Sequence, residues 1–592
     1  MNADPDSPPA AALHGELTAD GAQIVLIGTG PDPAIARMAQ LIQLLTPLVK
    51  PSNPPGALVL PATWAAVVQL SHMFGATWRP GPRLLAWLRD ELLRRTPSGG
   101  TLCTIPPEGL TPWPYQVDGA LMIAATGRAL LFDDPGTGKT ITTILGLVER
   151  WAMVAERTAV TPIVVIAPAS VVGPWVEAWR TWAPQWRAVA WRGSPDRRRR
   201  LAGTAEVYVT SYDTARMDAA KGGPLDQLRA KSVVVDECHL IKSSHAARSV
   251  AARRLAKRAE NFVALSGTPI THHPGDLWPT LEALAPLAWP SEEWWKARYC
   301  LTMPGDYSAR VIGLNTATEA EMRATLLGQH RRVAKADVLT QLPPKVYSVR
   351  SVELPAAYRK SYDQMEAAMI AELPDGAELS VMSVLAQLTR LTQLACAAAD
   401  VTVVTETSAD GTESDHVQVR LKAPSWKVDA LLEVLAERPG QPVVAFAPSR
   451  QLMTLAGQQA TAAGLQVGYV VGGQSMRERT ETVEAFQKGK LDLLCVTTGA
   501  GGVGLTLTAA RTVVFLQRPW SLVEASQAED RCHRIGSEQH DSIEVIDIVA
   551  ANTIDARVRA ALYDKAGQLA ELLQDRRIVT ELLGGKTLRK AA

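Results

Sequence analysis

The spacing of apolar and polar positions changes along the chain, and the changes divide it. Residues 21–105 alternate short apolar runs, "AQIVLIG" and "GALVL", with stretches of helical period, "TWAAVVQLSHMFG" and "PRLLAWLRDELLRRT". The short runs suit strands and the periodic stretches suit amphipathic helices. This pattern predicts a small α/β accessory domain, punctuated by proline-rich segments at 51–55 and 106–114. The first 20 residues show neither period, carry acids and prolines, and are expected to be disordered.

From residue 106 the accessory pattern gives way to unbroken apolar runs: "RALLF", "TPIVVIAP", "EVYVTS", "KSVVVDE" and "NFVALSG". Amphipathic helical patterns separate them. A strand that is apolar throughout is buried on both faces, so the alternation predicts a parallel sheet covered by helices. Residues 346–424 read as a helical segment around a polar loop, "TETSADGTESDH". From 425 the strand–helix alternation returns through "PVVAFAP", "QVGYVVG", "LDLLCVTT", "TVVFLQ" and "SIEVIDIV" and runs to about 570. Residues 571–592 end in a basic tail, "GGKTLRKAA". The predicted class is α/β: lobes at 106–345 and 425–570, a helical connector at 346–424, and the accessory domain at 21–105.

Charge adds a restriction. The chain has 61 basic and 60 acidic residues, so any affinity for nucleic acid must come from a local basic surface. "DRRRR" at 196–200, read as a loop with Arg187 and Arg192 nearby, is a candidate for phosphate contact; a solvated charge run is the rival reading. The six cysteines form no CxxC pair, which suits a reducing compartment and not a disulfide framework or zinc knuckle. Neither a signal peptide nor an uninterrupted apolar stretch of ~18 residues is seen. The expected location is cytoplasmic. Abundant alanine and arginine point to a bacterial or phage-infected cell.

"RALLFDDPGTGKTITTILGL" runs strand, glycine loop, helix, the order in which such a loop cradles phosphate. Gly136, Thr137 and Gly138 would bring backbone amides to phosphate oxygens, helped by the helix N-terminus. Lys139 would reach the β- and γ-phosphates, and the Thr140 hydroxyl would ligate magnesium. Asp133 stands where the full loop pattern has glycine. "KSVVVDECH" supplies a second half-site, with Asp236 at the C-terminal edge of a buried strand, where open α/β sheets bind ligands. Asp236 would hold magnesium through water, and Glu237 would polarise the attacking water. Zinc or thiol chemistry at Cys238 and His239 is disfavoured: no second Cys/His pair lies nearby, and neighbours on a strand point to opposite faces.

Many segments in order resemble the Swi/Snf-type helicase-like ATPases of helicase superfamily two. "PWPYQ" resembles the adenine-recognising segment and implies that Gln116 reads the base. "VIAPASVVGPWVEAWRTW", with Ser170 and Trp175, resembles motif Ia, and "DECH" the DEAH-like box. "LSGTPITHHPGDLWPTLEALAP", with Ser266 and Thr268, resembles the coupling motif. "HRRVAKADVLTQLPPKV" resembles the segment leading out of the first lobe. "CVTTGAGGVGLTLTAARTVVFLQRPWSLVEASQAEDRCHRIGSEQ" resembles motifs V and VI. The resemblance implies two RecA-like lobes. It also implies that Arg531 and Arg534, with Gln527 beside them, reach the nucleotide across the cleft between lobes. Gly499, Thr271, His272, His273 and Ser537 depart from the family's usual residues.

"GAGGVG" (499–504) fits a dinucleotide fingerprint, but no acid closes the following strand. Its glycines, Gly502 among them, suit close approach to nucleic acid or to the first lobe. Most of the 16 tryptophans are expected in cores; Trp175 and Trp520 lie within motifs and are the functional candidates. The resulting expectation is an ATP- and Mg2+-dependent translocase on double-stranded or branched DNA. Proteins of replication, repair or transcription would be reached through residues 21–105. The alternatives are a strand-separating helicase and an ATPase that remodels protein–nucleic-acid complexes.

Overall fold

The computed structural model describes residues 11–45, 48–51, 57–96, 99–154, 157–270, 274–303, 310–371, 389–407, 413–501, 505–519, 522–556 and 559. The chain forms two compact units, Met1–Val338 and Leu339–Ala592.

The first unit opens with a five-stranded sheet of β1 (Ala12–Leu17), β2 (Gln23–Thr29), β3 (Lys50–Pro51), β4 (Leu58–Pro61) and β5 (Trp78–Pro80), in the order β3-β4-β2-β1-β5. Helices α1 (Asp32–Leu45), α2 (Trp64–Phe74) and α3 (Pro82–Arg95) accompany it. Its core holds Leu13, Ile24, Leu26, Leu60, Leu70, Phe74, Trp78 and Leu84. For residues 11–20 this corrects the expectation of disorder, because β1 lies inside the sheet, antiparallel to β2 and parallel to β5, while residues 1–10 lie outside the described residues. Gly15 hid the strand by interrupting its apolar alternation. A Cβ there would stand 2.2 Å from the Trp78 indole, so the gap in the pattern makes room for a tryptophan.

Two side chains fasten this domain to the rest of the unit. The Trp64 Nε1–H donates to the Ala324 carbonyl at 2.8 Å, and Arg95 donates to Leu327 at 2.9 Å while stacking 5.1 Å from the Trp64 ring. Trp64→Ala removes the ring that both contacts share. Its expected cost is about 3 kcal/mol, typical of a large aromatic truncation. Limited proteolysis should then release residues 1–96 sooner than in wild type; an unchanged cleavage pattern would refute this.

The second sheet of the unit has seven parallel strands. They are β6 (Arg128–Leu131), β7 (Ile163–Ala167), β8 (Ala188–Ala190), β9 (Val207–Ser211), β10 (Ser232–Asp236), β11 (Asn261–Leu265) and β14 (His330–Arg331), in the order β14-β6-β11-β10-β7-β9-β8. The five apolar runs form the interior strands. The edges β8 and β14 are too short to show in the pattern. A two-stranded pair, β12 (Cys300–Met303) and β13 (Arg310–Leu314), lies apart. Helices α4 (Pro114–Thr126), α5 (Lys139–Met153) and α6 (Val172–Trp182) belong to the same unit.

The arginine run is a helix, α7 (Pro195–Leu201), not the expected loop, capped by the Ser194 hydroxyl. Arg198 is buried against Asp218 at 2.6 Å, and Trp191 donates to the same carboxylate. Arg197, Arg199 and Arg200 remain exposed, with Arg199 paired to Asp196.

The second unit is built on six parallel strands: β15 (Lys345–Val352), β18 (Val443–Ala447), β19 (Val467–Val470), β20 (Leu493–Thr497), β21 (Thr512–Phe515) and β22 (Ile543–Ala550), ordered β15-β22-β21-β18-β20-β19. The segment expected to be helical, 346–424, divides differently. It begins within β15, continues as the helix Ala356–Ala371, and ends in a long antiparallel hairpin of β16 (Ala398–Thr407) and β17 (Glu413–Lys422). β15 was missed because it is half-exposed along its length, which breaks the apolar run. In the hairpin, valines alternate with threonine, glutamine and charge at period two, a strand pattern overshadowed by its polar composition.

Five cysteines are buried and Cys103 is exposed; all six are free thiols. Among the described residues no helix is long and apolar enough to cross a membrane.

Candidate nucleotide site

The loop between β6 and α5 takes its shape from two glycines. Gly136 and Gly138 have φ of 83° and 82°, a region that disfavours side chains. A Cβ on Gly138 would also stand 2.4 Å from the Gln116 amide nitrogen. Gln116 is 2% exposed and holds two backbone groups: its oxygen accepts from Trp113 N–H at 3.0 Å, and its nitrogen donates to the Thr137 carbonyl at 3.1 Å. The Tyr115 hydroxyl donates to the same carbonyl at 2.9 Å, and burial raises its pKa to about 12. Gln116 thus sits against the phosphate-type loop. Lys139 opens α5, and its ammonium donates to the carbonyls of Asp133 and Asp134 at 2.7 and 3.1 Å. Thr140 follows in the first helical turn, half-exposed.

Asp133, the departure from the glycine pattern, has a partner of its own. It is 1% exposed, pairs with Arg331 and accepts from Val333 N–H at 2.9 Å. Arg331 also donates to the Tyr115 carbonyl. Asp134 takes Arg332 at 3.1 Å and Lys335 N–H at 2.9 Å. The acid pair "DD" therefore zips the start of the loop to the edge strand β14.

Asp236 ends β10, two strands from β6 in the same sheet. Its carboxylate accepts from Trp175 Nε1–H at 2.7 Å and from Glu237 N–H at 2.9 Å. Burial and the Glu237 charge push its pKa up to about 6, against the opposing pull of Trp175 and the Lys139 ammonium. Trp175 is 2% exposed, so it orients this acid and offers no face to a nucleic-acid base. Glu237 sits at φ 53°, ψ 55°, an uncommon conformation for a residue with a side chain, of order 1–3 kcal/mol in cost. Tyr212 O–H donates to the carbonyls of Asp236 and Glu237, bracing that turn.

Glu237, His239 and Ser266 form one cluster. His239 Nδ1 lies 3.1 Å from Ser266 Oγ and 3.2 Å from Glu237 Oε2, and Ser266 O–H donates to Glu237 at 3.5 Å. Thr268 N–H donates to Ser266 Oγ at 3.1 Å. Cys238 is a packed thiol, pushed up in pKa by burial. Among the described residues no group of three or more His, Cys, Asp or Glu side chains is arranged to hold a metal. Ser170 lies half-buried in the short 3-10 turn before α6. His272 and His273 fall outside the described residues.

In the second unit, Gln527 lies on the helix Leu522–Glu529, with Arg531 and Arg534 just beyond it. Arg534 donates to the Leu505 carbonyl at 3.2 Å, and burial lowers its pKa. The Arg531 carbonyl accepts from Leu507 N–H at 2.9 Å. Glu529 anchors this stretch: it accepts from Tyr347 O–H at 2.8 Å, Arg518 at 3.0 Å and Lys345 at 3.2 Å. Gly502 and Trp520 lie outside the described residues.

Sequence reading missed Tyr115, Arg331, Arg332 and Glu529. Tyr115, Arg331 and Arg332 act on backbone or on acids distant in the chain, and Glu529 takes Lys345 and Tyr347 from far away in the chain, so no local spacing betrays them. The one available signal was the doubled arginine in "HRRVAK".

Residues 84–399, more than half of the chain, match the family described as SNF2-related domain, and residues 426–536 match the Helicase conserved C-terminal domain. The chain is 28% identical over 488 residues to the human DNA annealing helicase and endonuclease ZRANB3, covering 78% of this chain and 40% of that protein. It is 27% identical over 484 residues to the putative ATP-dependent helicase/translocase YwqA of Bacillus subtilis, covering 79% of this chain and 49% of the relative. It thus spans less than half the length of either relative. The Sulfolobus solfataricus SWI2/SNF2 ATPase core in complex with dsDNA matches with 21% identity and a TM-score of 0.37, over 82% of this chain and 99% of that one. By the extent of the first match, this chain belongs to the SNF2-related domain family.

Proposed function

We propose that the chain is a DNA-dependent ATPase that moves along double-stranded DNA. The observation that carries the reading is the meeting, on one sheet, of a lysine-bearing glycine loop with an oriented acid pair, Asp236–Glu237. Relatives named for action on DNA support the choice of polymer. Phosphate contacts carry no sequence information, so binding should be sequence-independent and weaken steeply with salt.

Gly136, Thr137 and Gly138 would present backbone amides to the phosphates, and Lys139 would swing from the loop carbonyls to the β- and γ-phosphates. Gln116 would recognise the base. Glu237 would accept a hydrogen bond from the attacking water and align it with the γ-phosphorus, as the bond to the β,γ-bridging oxygen breaks and ADP leaves. Arg531 and Arg534, supported by Gln527, would contribute positive charge to the transition state from the second unit.

Mg2+ would suit the donors present: the Thr140 hydroxyl and, through water, the Asp236 carboxylate offer hard oxygens. A site with one or two protein oxygens, completed by phosphates and water, is how this ion is usually held. When bound, it would neutralise charge on the β- and γ-phosphates. Ser170, Ser266, Thr268, Gly502 and Trp520 remain candidates for nucleic-acid contact or coupling. The accessory domain is the candidate surface for protein partners.

The test is steady-state ATP hydrolysis with and without linear duplex DNA. Wild type should be stimulated several-fold or more by DNA. Lys139→Ala should lose at least about 100-fold in kcat/KM, some 2.7 kcal/mol of transition-state binding. A wild-type rate indifferent to DNA, or a Lys139→Ala enzyme as fast as wild type, would refute the proposal.

A further inference from the structure

We propose that Arg332 is a positioning residue for hydrolysis, a strut that ties the phosphate-type loop to the segment beginning at Ser266 and through it sets Glu237. The inference rests on the ATPase reading above and adds to it a residue that would act through its protein neighbours.

The guanidinium spans two loops. One terminal nitrogen donates to the Phe132 carbonyl at 3.1 Å and to the Gly267 carbonyl at 3.4 Å. The other donates to the Asp134 carboxylate at 3.1 Å. Phe132 and Asp134 begin the loop that ends at Lys139, whereas Gly267 follows Ser266 directly. The two loops also touch: a Cβ on Gly267 would stand 2.6 Å from Pro135 Cγ and 3.2 Å from its nitrogen. Gly267 thus lies against Pro135 with no room for a side chain, and Arg332 clasps the contact from one side.

From Gly267 the route to the acid is short. Ser266 Oγ meets His239 Nδ1, Glu237 Oε2 and Thr268 N–H within 3.5 Å. A shift of the Gly267 peptide therefore moves the hydroxyl against which the Glu237 carboxylate rests. Displacements near 1 Å at a reacting group cost on the order of 100-fold in rate.

Arg331 and Arg332 are adjacent but do different work. Removing Arg331 would leave the fully buried Asp133 carboxylate without its cation, a strongly destabilising change. Removing Arg332 is milder, because the Asp134 carboxylate is 19% exposed where Asp133 is 1%, and it still accepts Lys335 N–H at 2.9 Å. The edge strand also keeps the Asp134 N–H to Val333 carbonyl bond at 3.0 Å. Losing Arg332 should loosen the link between the loops while the sheet stays intact.

The experiment uses the full chain. Arg332→Met, Arg332→Lys and Asp134→Asn are compared with wild type for thermal midpoint, affinity for a fluorescent ADP, and kcat and KM at saturating duplex DNA. Arg332→Met should keep its midpoint within a few degrees and its ADP affinity within about threefold, while kcat falls about 10- to 100-fold. Arg332→Lys should recover part of that loss. Asp134→Asn, which keeps an acceptor but weakens the pair, should show a smaller kcat defect of the same kind. It decides the matter should Arg332→Met fail to fold. In a double-mutant cycle, Ser266→Ala should add little to Arg332→Met, because both act through one contact on Glu237.

A kcat within threefold of wild type in folded Arg332→Met, full additivity with Ser266→Ala, or loss of ADP affinity in parallel with kcat would each overturn the proposal. A wild-type enzyme without ATPase activity would instead remove the reading on which it rests.

Discussion

Glu237→Gln is expected to bind nucleotide within a few-fold of wild type and to turn it over about 100- to 10,000-fold more slowly, the range for removing a positioned base. Glutamine keeps the shape of the side chain and a hydrogen-bonding oxygen, so the left-handed backbone at φ 53° should persist. The Glu237 N–H bond to the Asp236 carboxylate at 2.9 Å is made by the Glu237 backbone and survives the change. What disappears is the negative charge that can orient a water and receive its proton. One further effect follows: Glu237 is among the causes that raise Asp236, so neutralising it should bring Asp236 back towards the ordinary carboxylate range. Single-turnover hydrolysis beside a nucleotide titration checks both parts. A variant that hydrolyses ATP at the wild-type rate would exclude Glu237 from the chemistry.

Glu237, Asp236 and Lys139 were legible because their setting is local. A buried strand, a sharp turn and a helix start within nine residues of one another identify the loop, and three valines before an acid identify the strand edge. The interior strands β6, β7, β9, β10 and β11 were legible for the same reason, since burial on both faces writes an uninterrupted apolar run. Arg331 and Arg332 were not, because their carboxylate partners lie 198 residues earlier in the chain. Trp175 was marked as functional, but its partner, 61 residues away, could not be read from its neighbours. The edge strands β8, β14 and β15 escaped because an edge is short or half-wetted, which breaks its apolar run. β1 escaped because Gly15 yields space to a side chain 63 positions later.

Arg128→Met should be strongly destabilising, by about 3–5 kcal/mol, because several carbonyls would lose their donor at about 1–3 kcal/mol for each one left buried and unsatisfied. Arg128 begins β6, and its guanidinium donates five hydrogen bonds. They reach Ala256 at 3.1 Å, Ala259 at 2.7 Å, Glu260 at 3.3 Å, Ala283 at 2.6 Å and Leu284 at 2.7 Å, all through backbone carbonyls. These carbonyls belong to the ends of the helices Ala247–Arg258 and Trp278–Leu284 or to residues just beyond them. Helix C-termini leave carbonyls without partners, and a cation there also answers the helix dipole. Burial lowers the guanidinium pKa to about 10, so it remains charged at neutral pH. Methionine would fill much of the volume and satisfy none of the carbonyls. Lysine has three donors in place of five and should recover only part of the loss. Urea denaturation of the three proteins, followed by tryptophan fluorescence, measures the differences. A midpoint for Arg128→Met equal to wild type would show that the helix ends find other partners.

The distribution of thiols has a use in the laboratory. Only Cys103 is exposed, and each unit buries its remaining cysteines: Cys238 and Cys300 in the first, Cys396, Cys495 and Cys532 in the second. Burial raises the pKa of all five and suppresses the reactive thiolate. Peptide mapping after brief alkylation therefore records, from native residues alone, which half of the chain has opened and in what order.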